Sequence, residues 1–540
     1  MAHKRRSLFF LPLVLTVCAI LGGVLGPRIP VAAAASETDQ ISSDVQNFTK
    51  AYAAIEKNFA DPVNADKALY KGAIPGMLQT LDPHSNFFDP KEYQALRDDQ
   101  RGRYYGVGML VGTRGGKTVV MAPFPGNPAY KAGLRPGDVI TMVNEKPTDN
   151  LSTTEIADLL KGPRGTQVKI IVMREGNTEP LTFTVTRDEV KRPSVQEAVW
   201  LKPGIAYLRI LSFGENTSRE MEDNLKRLGE SNIKGLVLDL RGNPGGLLNE
   251  GVAVADHFLQ KGQTVVSYRG RTSAEKALTA RSGNKGRDYP IVVLVSKSSA
   301  SAAEIVSGAL QDHDRAWILG ENTFGKGLVQ TVYPLSENTG LALTTAHYYT
   351  PSGRLIQRDY SHRSFYDYYV HRDENARNPQ DVKMTDSGRT VYGGGGITPD
   401  EKYQEPKLDA LQVELIRKSA TFNFTRSYFG THDTNLPKSW MPDETTLNEF
   451  HEYLLKQKYN FTEAAFTQDR DWIKRQLAID MYVTAFNKDE SDRVSAQTDP
   501  EVERAMDSLP KARALLETAK KVIVQRMSKQ PQTAEALAKH

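Results

Sequence analysis

Residues 291–310 read IVVLVSKSSASAAEIVSGAL, and the change of pattern within them indicates the fold. Ile291 to Val295 is a short, uninterrupted apolar run, which is typical of a buried strand. Small polar residues follow, and Ala302 to Leu310 then has the pattern of a helix. At Gly235–Leu240 a second apolar run leads through a glycine-rich turn into another helical segment. Strands that alternate with helices predict a layered α/β core over residues 189–400.

The composition is that of a soluble, multidomain protein. With 540 residues the chain is too long for one compact core, and about three folding units or more are expected. Outside positions 1–35, which hold four basic and no acidic residues, Lys+Arg and Asp+Glu balance at 65 each. This neutral balance gives no reason to expect nucleic-acid binding. The single cysteine is Cys18, so we expect neither disulfides nor a cysteine nucleophile in the mature chain.

The first 35 residues have the pattern of an export signal. Basic residues at positions 4–6 precede an apolar run from Leu8 to about Leu25, and small residues suited to cleavage follow near Ala35. The run of about 18 residues lies at the border between a long signal peptide and a short membrane span. Two alternatives stay open: a leader cleaved after about Ala35, or an uncleaved anchor that associates the protein with a membrane. Both predict an exported protein of the periplasm or cell envelope.

The rest of the chain divides by its periodicity. Residues 36–102 are predicted to be a helical region, because apolar positions recur at helical spacing in Val45–Ile55. Residues 103–188 have short strand-like runs between turns. Asp359–Asp386 shows neither period and is interpreted as a long surface insertion. Residues 401–540 are predicted to be a helical C-terminal extension.

Residues 103–188 resemble a PDZ domain. A glycine-containing turn at Ala132–Asp138 leads into a strand, and one helix interrupts the strands, in PDZ order. The resemblance implies a loop whose successive N–H groups bind a chain-terminal carboxylate, formed by Tyr105, Gly106, Val107 and Gly108. The strand from Met109 would pair with the peptide by β-addition. The alternative is a small β-domain that binds no ligand.

Ser301 is placed by this pattern at a strand-to-helix turn. At the N-terminus of a helix, backbone amides such as that of Ala302 point toward developing negative charge, which favours a nucleophile there. Ser301 and Glu304 also fit a capping box, in which the serine caps the helix and the glutamate reaches back. Gly245 and Gly246 follow the other buried strand, and glycines allow backbone amides to approach a substrate closely. A plain strand-to-helix turn is the alternative for this pair.

Lys326 lies between two glycines, beside the apolar residues Phe324 and Leu328. A lysine acts as a general base only if its pKa falls from about 10.4 toward 7, which destabilises the charged form by roughly 4–5 kcal/mol. Burial can supply this shift; a solvated turn lysine is the alternative. Gln330 lies about 13 Å further along an extended strand, so both side chains can reach one serine only across a turn or bulge. Gln330 could then orient the lysine amine.

Together these segments resemble the carboxyl-terminal processing proteases, also called tail-specific proteases, over roughly residues 40–400. Four segments carry the resemblance, in family order: Leu81–Phe88, Arg241–Gly246, Ser298–Glu304 and Phe324–Gln330. The resemblance implies a multidomain α/β and α+β protein with a core like that of the crotonases and Clp peptidases, an inserted PDZ-like β domain, and helical regions at both ends. The insertion and the C-terminal extension lie outside it.

The resemblance also assigns roles. Ser301 becomes the nucleophile, Lys326 the general base and Gln330 the residue that orients the lysine. The amide of Ala302, with one from Gly245 or Gly246, would form the oxyanion hole. The implied partners are proteins or peptides with exposed, apolar C-termini, and no cofactor is implied. Whether the chain forms a homo-oligomer stays open.

Other functions are weighed against the same residues. The main alternative is a catalytically silent PDZ scaffold of the cell envelope that binds peptides. Ser508–Lys511 has the letters of a penicillin-binding nucleophile, but the chain has no Lys-Thr-Gly or Ser-Asp-Asn partner. No His-Glu-x-x-His occurs, so no metal site is expected. The isolated His84, His257 and His313 are interpreted as structural.

Overall fold

The structure, a computed structural model, describes residues 30–361, 364–370 and 378–529. It has two compact units, which meet in sequence between Thr80 and Leu81 and are described separately. The apolar run of the leader lies outside the described residues, so the choice between signal peptide and anchor is not addressed by the fold. Within the described ranges, no helix has the length and apolarity that a membrane crossing requires.

The first unit is helical where it is described. Its helices are α1 (Pro30–Asn58), α2 (Ala65–Ala68) and α3 (Ile74–Gln79), and a single π-helical turn joins the last two. Asn64 begins α2, since its side-chain oxygen accepts a hydrogen bond of 2.9 Å from the backbone N–H of Lys67.

The second unit opens with a strand inside the interval 36–102 that the periodicity predicts to be helical. β1 (Asn86–Phe88) pairs antiparallel with residues 340–342. Three residues are too few to show the alternation of a strand, which is why the sequence pattern missed it. α4 (Pro90–Arg101) follows, with a capping box between Asp89 and Glu92 at its start and a left-handed Gly102 at its end.

The next part of the chain forms the PDZ-like β domain. A two-stranded sheet pairs β2 (Arg103–Gly106) with β9 (Asp188–Lys191). A second sheet has the order β3-β4-β5-β7-β8, with β6 beside β5. The remaining elements are β3 (Met109–Arg114), β4 (Lys117–Pro123), α5 (Pro128–Lys131), β5 (Val139–Val143), β6 (Lys146–Pro147), α6 (Thr153–Leu160), β7 (Gln167–Met173) and β8 (Leu181–Thr186).

The protease-like core is built on a six-stranded sheet and a five-stranded sheet. The elements of this part are β10 (Val195–Lys202), β11 (Ile205–Ile210), α7 (Thr217–Arg227), β12 (Gly235–Asp239), α8 (Leu248–Asp256), β13 (Thr264–Arg269), β14 (Lys276–Thr279), β15 (Ile291–Val295), α9 (Ala302–Asp312), β16 (Trp317–Gly320), β17 (Leu328–Pro334), β18 (Gly340–Tyr349), α10 (Phe365–Val370), β19 (Asn378–Met384), β20 (Thr390–Gly393) and β21 (Glu401–Lys402).

The six-stranded sheet has the order β10-β11-β12-β15-β16-β21, and its last five strands run parallel. Loops that leave the carboxyl ends of neighbouring parallel strands meet at one edge of a sheet, where α/β proteins place their sites. The loops after β12 and β15 are such neighbours, and they carry Gly245 and Ser301. The five-stranded sheet of this core is antiparallel, with the order β1-β18-β13-β14 and β17 beside β18.

The stretch Asp359–Asp386 has more regular structure than its sequence indicates. It contains α10 and the whole of the hairpin strand β19, which pairs with β20. Tyr368 of α10 is only 1% exposed, so this part of the segment is packed into the protein. A helix of six residues is too short to show a 3.6-residue period, so the sequence pattern missed α10. Tyr366 and Val370 of this helix are 64% and 53% exposed, so the segment lies at the surface with Tyr368 packed inward.

The C-terminal extension is helical and has two parts. α11 to α15 form a bundle with its own apolar core, around Phe424, Phe450 and Leu477, whereas α16 and α17 lie on the six-stranded sheet. The helices are α11 (Ala410–Arg417), α12 (Ala420–Tyr428), α13 (Glu444–Lys456), α14 (Glu463–Gln468), α15 (Arg470–Ala485), α16 (Lys488–Thr498) and α17 (Pro500–Lys529).

Candidate active site

The turn between β15 and α9 holds Ser301 in a backbone conformation that serines rarely adopt. Its φ is 54° and its ψ is −114°, a strained combination for a residue with a Cβ. The surroundings fix it: Ala300 N–H donates to the carbonyl of Asn243 at 2.9 Å, and the Tyr348 hydroxyl donates to the Ser301 carbonyl at 3.1 Å. Such strain collects at functional sites, where it re-aims a side chain.

The loop after β12 approaches this turn as closely as a backbone can. A Cβ added to Gly245 would lie 2.7 Å from the Ser301 Cβ and 3.0 Å from the Ala302 nitrogen. Gly245 also has a φ of +96°, so a side chain is excluded here on two grounds. The family resemblance predicts that the glycine pair lies at the serine, and the structure brings the two loops together.

The three predicted oxyanion donors differ in what they already bind. The N–H of Gly245 donates to the side-chain oxygen of Asn243 at 2.8 Å. Within the described part of the chain, the N–H groups of Gly246 and Ala302 donate no hydrogen bond. Gly245 therefore serves as the point of close approach, and Gly246 and Ala302 are the amides still able to bind an oxyanion.

Glu304 joins the serine turn to the lysine segment. Its carboxylate is fully buried and accepts from Ser301 N–H at 2.8 Å, which is the reach-back of the predicted capping box. It also accepts from the Thr323 hydroxyl, from Gly325 N–H at 2.7 Å and from Lys326 N–H at 2.9 Å. One carboxylate thus fixes the backbones of both predicted catalytic residues. The local pattern indicated only the cap, because its other partners lie about 20 residues further on.

Lys326 lies in an environment that favours the neutral amine. Burial lowers the pKa of Lys326, while the charges of Glu304 and Asp82 act in the opposite direction without cancelling the shift. Phe324, two residues earlier, is only 8% exposed. Burial also raises the pKa of Glu304, although the Thr323 hydroxyl and the backbone N–H donors oppose this change. The direction of the lysine shift is the one that a general base requires.

The strand that carries Gln330 has an irregularity directly before this residue. The pairing of β17 with β18 shifts register between Val329 and Gln330, which is the kind of bulge that convergence requires. The Gln330 side-chain nitrogen donates to the Thr344 hydroxyl at 3.2 Å. Its contact with the Lys326 amine stays a prediction.

A turn more than 200 residues earlier in the sequence also belongs to this site. Asp82 accepts from the Ser85 hydroxyl at 2.6 Å, and the Ser85 oxygen accepts from Thr344 N–H at 3.1 Å. Thr344 is the residue that binds Gln330. His84 of the same turn has a pKa lowered to about 4 by burial and then by the charge of Lys326. This turn is one of the segments that carry the family resemblance, but no local pattern around His84 indicates a role beyond a structural one.

The predicted peptide-binding loop Tyr105–Gly108 lies in the PDZ-like domain, but its first half is strand: Tyr105 and Gly106 end β2 and pair with β9. Val107 and Gly108 lead into β3, which ends its sheet order. Leu110 of β3 is 44% exposed and Tyr105 is 39% exposed. The carbonyls of Val107 and Gly108 accept from Ala129 N–H at 2.8 Å and Phe124 N–H at 3.0 Å. The loop is therefore anchored from within its domain. An exposed apolar edge strand can accept a peptide by β-addition.

Comparison with known proteins gives matches to three family models. Peptidase family S41 matches residues 204–361, a PDZ domain matches residues 119–174, and the activating protease CtpB N-terminal domain matches residues 28–92. A carboxy-terminal-processing protease of Bartonella bacilliformis is 42% identical over 54% of this chain and 68% of its own length. A carboxyl-terminal-processing protease of Synechocystis is 37% identical over 56% and 72%. A solved photosystem II D1 C-terminal processing protease is 29% identical, over 67% of this chain and 93% of that one, with a TM-score of 0.35.

Proposed function

Since the chain belongs to the carboxy-terminal processing protease family, we propose that it is an exported serine endopeptidase in which Ser301 is the nucleophile and Lys326 the general base. The observation that carries the proposal is the Glu304 carboxylate, which binds the backbone of both residues. A carboxylate with that set of partners holds the nucleophile turn and the lysine segment in one fixed relation.

The chemistry follows from the charges of the site. The neutral Lys326 amine takes the proton of the Ser301 hydroxyl as the oxygen attacks the substrate carbonyl. The N–H groups of Ala302 and Gly246 stabilise the oxyanion that forms. The protonated lysine then gives its proton to the leaving amine, and a water molecule hydrolyses the acyl-enzyme by the reverse sequence. In this scheme Gln330 orients the lysine amine through its amide oxygen.

Substrate selection is assigned to the PDZ-like domain. We infer that an apolar protein C-terminus lies along β3, with its carboxylate at the loop Tyr105–Gly108. The basic and apolar leader supports export to the periplasm or cell envelope. Whether that leader remains as a membrane anchor, and whether the chain forms a homo-oligomer, are separate questions that fractionation and light scattering answer.

The test uses purified residues 36–540 and an unstructured protein that ends in apolar residues, with cleavage followed by mass spectrometry. Ser301→Ala and Lys326→Ala should each lower the rate by about a thousandfold or more, because members of a catalytic unit act together. Lys297→Ala, at an exposed lysine of the same turn, is the matched control and should cleave normally. Equal activity in all four proteins would refute both assignments.

A silent peptide-binding scaffold is the second candidate. It is favoured by one observation, namely the exposed edge strand β3 of the PDZ-like domain, which can accept a peptide whether or not Ser301 and Lys326 are aligned. Binding of the C-terminal peptide by the parent protein, without cleavage at any pH, would support the scaffold over the peptidase.

A further inference from the structure

An aromatic group packs around Phe324, two residues before Lys326, and its members come from three distant parts of the chain. The ring of His84 packs edge-on against Phe324, Tyr368 and Tyr369, with ring centroids 6.2, 5.5 and 6.1 Å away. We call these four residues the aromatic wall. Phe324 and Tyr368 are 8% and 1% exposed, so the inner part of the wall is dry. α10, which supplies both tyrosines, lies in the stretch outside the family resemblance.

The hydrogen bonds of the wall fit a neutral imidazole. Gln357 Nε2 donates to the Tyr368 hydroxyl at 3.2 Å, so that hydroxyl can donate its own proton to His84 Nε2, 2.9 Å away. On the other side, the Tyr369 hydroxyl donates to the Pro83 carbonyl at 3.0 Å and can accept from His84 Nδ1–H at 3.4 Å. This order gives each of these donors an acceptor, and it assigns the ring proton to Nδ1. A second ring proton would leave the Tyr368 proton without its acceptor.

The same hydrogen-bond chain reaches the lysine. Gln357 Oε1 accepts from Gly327 N–H at 2.8 Å, so the residue after Lys326 is linked to His84 through Gln357 and Tyr368. Phe324, two residues before the lysine, is part of the wall itself. The backbone on both sides of Lys326 is thus connected to the aromatic wall, through Phe324 before it and through Gly327 and Gln357 after it.

The charged groups around the two side chains are few. Asp82 and Glu304 act on Lys326; Lys326, Asp82 and Arg358 act on His84. The Arg358 guanidinium lies over the Phe324 and Tyr368 rings at 4.4 and 4.6 Å and donates to the Tyr368 carbonyl at 2.9 Å. Burial, followed by the charge of Lys326, lowers the pKa of His84 to about 4. At the pH at which Lys326 would act as a base, His84 is therefore neutral and adds no positive charge beside the amine.

We propose that His84 is a positioning residue of the catalytic centre: held uncharged by Tyr368 and Tyr369, it closes the aromatic wall over Lys326 and keeps water away from the amine. The proposal rests on the proposed role of Lys326 as the base. It gives the turn at 82–85 and helix α10 a part in the reaction without proton transfer by His84 itself. The wall acts by desolvation, which disfavours the charged form of a lysine.

The test compares a variant that lacks a ring at position 84 with a variant that keeps one. His84→Ala opens the wall, and His84→Phe keeps a ring in place. The acidic limb of kcat/KM against pH, which reports the free enzyme's base, should move up by about one pH unit or more in His84→Ala. Activity near pH 7 then falls about tenfold and recovers toward pH 9, while His84→Phe keeps the parent profile. Tyr368→Phe, which removes only the hydroxyl that links Gln357 to His84, should give a smaller shift in the same direction.

His313→Ala is the matched control. His313 is also buried and bonded, to Asp386 and to the Thr264 carbonyl, so its loss should lower the melting temperature without moving the acidic limb. If His84→Ala lowers activity equally at every pH, as a structural residue would, the proposal is wrong. Loss of activity at every pH in both His84→Ala and His84→Phe would indicate proton transfer by His84 and would overturn it as well.

A second readout does not depend on peptidase activity. In the Ser301→Ala background, the rate at which an amine-directed reagent labels Lys326 is followed by peptide mass spectrometry across the pH range. The midpoint of that profile should rise by about one unit or more when His84→Ala is added. An unchanged midpoint would overturn the wall even if the enzyme proved active. A shifted midpoint in a parent protein that cleaves nothing would support the wall and contradict the proposed function instead.

Discussion

The two faces of the six-stranded sheet are equally dry but are covered by different parts of the chain. Along β15, Ile291, Val293 and Val295 join the core that includes α9, whereas Val292 and Leu294 join the core that includes α17. All five side chains are fully buried. The nucleophile face is covered by helices within the family resemblance, and the opposite face by the C-terminal extension. The last two helices of the extension, α16 and α17, are therefore one layer of the α/β core.

Carboxylates from both faces also reach the edge of the sheet that carries Ser301 and Gly245. Glu304 of α9 binds backbone N–H groups, as described above. Glu501 of α17 binds the Arg241 guanidinium at 2.7 Å, and Asp499 binds it at 2.9 Å. Arg241 begins the loop that carries Gly245 and Gly246. The Ser301 turn is thus held by hydrogen bonds from its own helix, whereas Arg241 is held both by Asp239 of its own strand, at 2.6 Å, and by the two carboxylates of the extension.

The comparison between the two faces would be wrong if α17 could detach from the sheet without a loss of stability. Val502 of α17 is fully buried against the sheet, and Val524 of the same helix is 65% exposed. Val502→Asp places an unpaired carboxylate in the apolar layer and should lower the free energy of unfolding by about 4 kcal/mol or more, a large part of the stability of a typical domain. Val524→Asp is the control and should change the free energy of unfolding by less than about 0.5 kcal/mol. Chemical denaturation followed by circular dichroism measures both, and normal folding of Val502→Asp would refute the layer.

The ion pairs at the catalytic edge predict a pH dependence of stability. Burial, opposed by Arg241, raises the pKa of Glu501 from 4.5 to about 7, and its side chain is only 6% exposed. A carboxyl whose pKa is raised by folding contributes stability below pH 4.5 that is lost as the pH rises through 7. The loss for this one group is about 3 kcal/mol. Glu501→Gln, which cannot ionise, should escape it.

The free energy of unfolding of Glu501→Gln, measured by denaturant titration at pH 5, 6, 7 and 8, should therefore fall less steeply than that of the parent. Glu197, whose pKa burial also raises to about 7, contributes to both proteins and cancels in the difference. The exposed neighbour Glu503→Gln is the control and should follow the parent curve. Parallel curves for the parent and Glu501→Gln would show that the ion pairs with Arg241 hold the carboxyl ionised in the fold.

The sequence predicts the strands of the six-stranded sheet well, but it does not predict which helices cover them. Gly235–Leu240 and Ile291–Val295 were read as buried strands, and β12 and β15 have almost those bounds. An uninterrupted apolar run indicates that both faces are covered, but nothing local identifies α17, about 200 residues away, as the cover. The same limit applies at the site. Ser301 and Lys326 came from motifs and a resemblance, whereas the long-range bonds of Glu304 and the place of His84 leave no signal in the local pattern.

Alanine substitutions at two adjacent valines test whether the two faces of the sheet contribute equally to stability but differently to activity. Val292 and Val293 are both fully buried, the first against α17 and the second in the same cluster as Ala302 and Ile305 of the nucleophile helix. Each substitution to alanine removes two methyl groups and should cost about 2 kcal/mol. Only Val293→Ala loosens the support of α9, so it alone should also lower kcat, and by about the tenfold that a small misplacement of a nucleophile causes. Equal kcat in the two variants, at equal stability, would mean that Ser301 is held by Glu304 and its turn alone, and that both helical layers serve folding only.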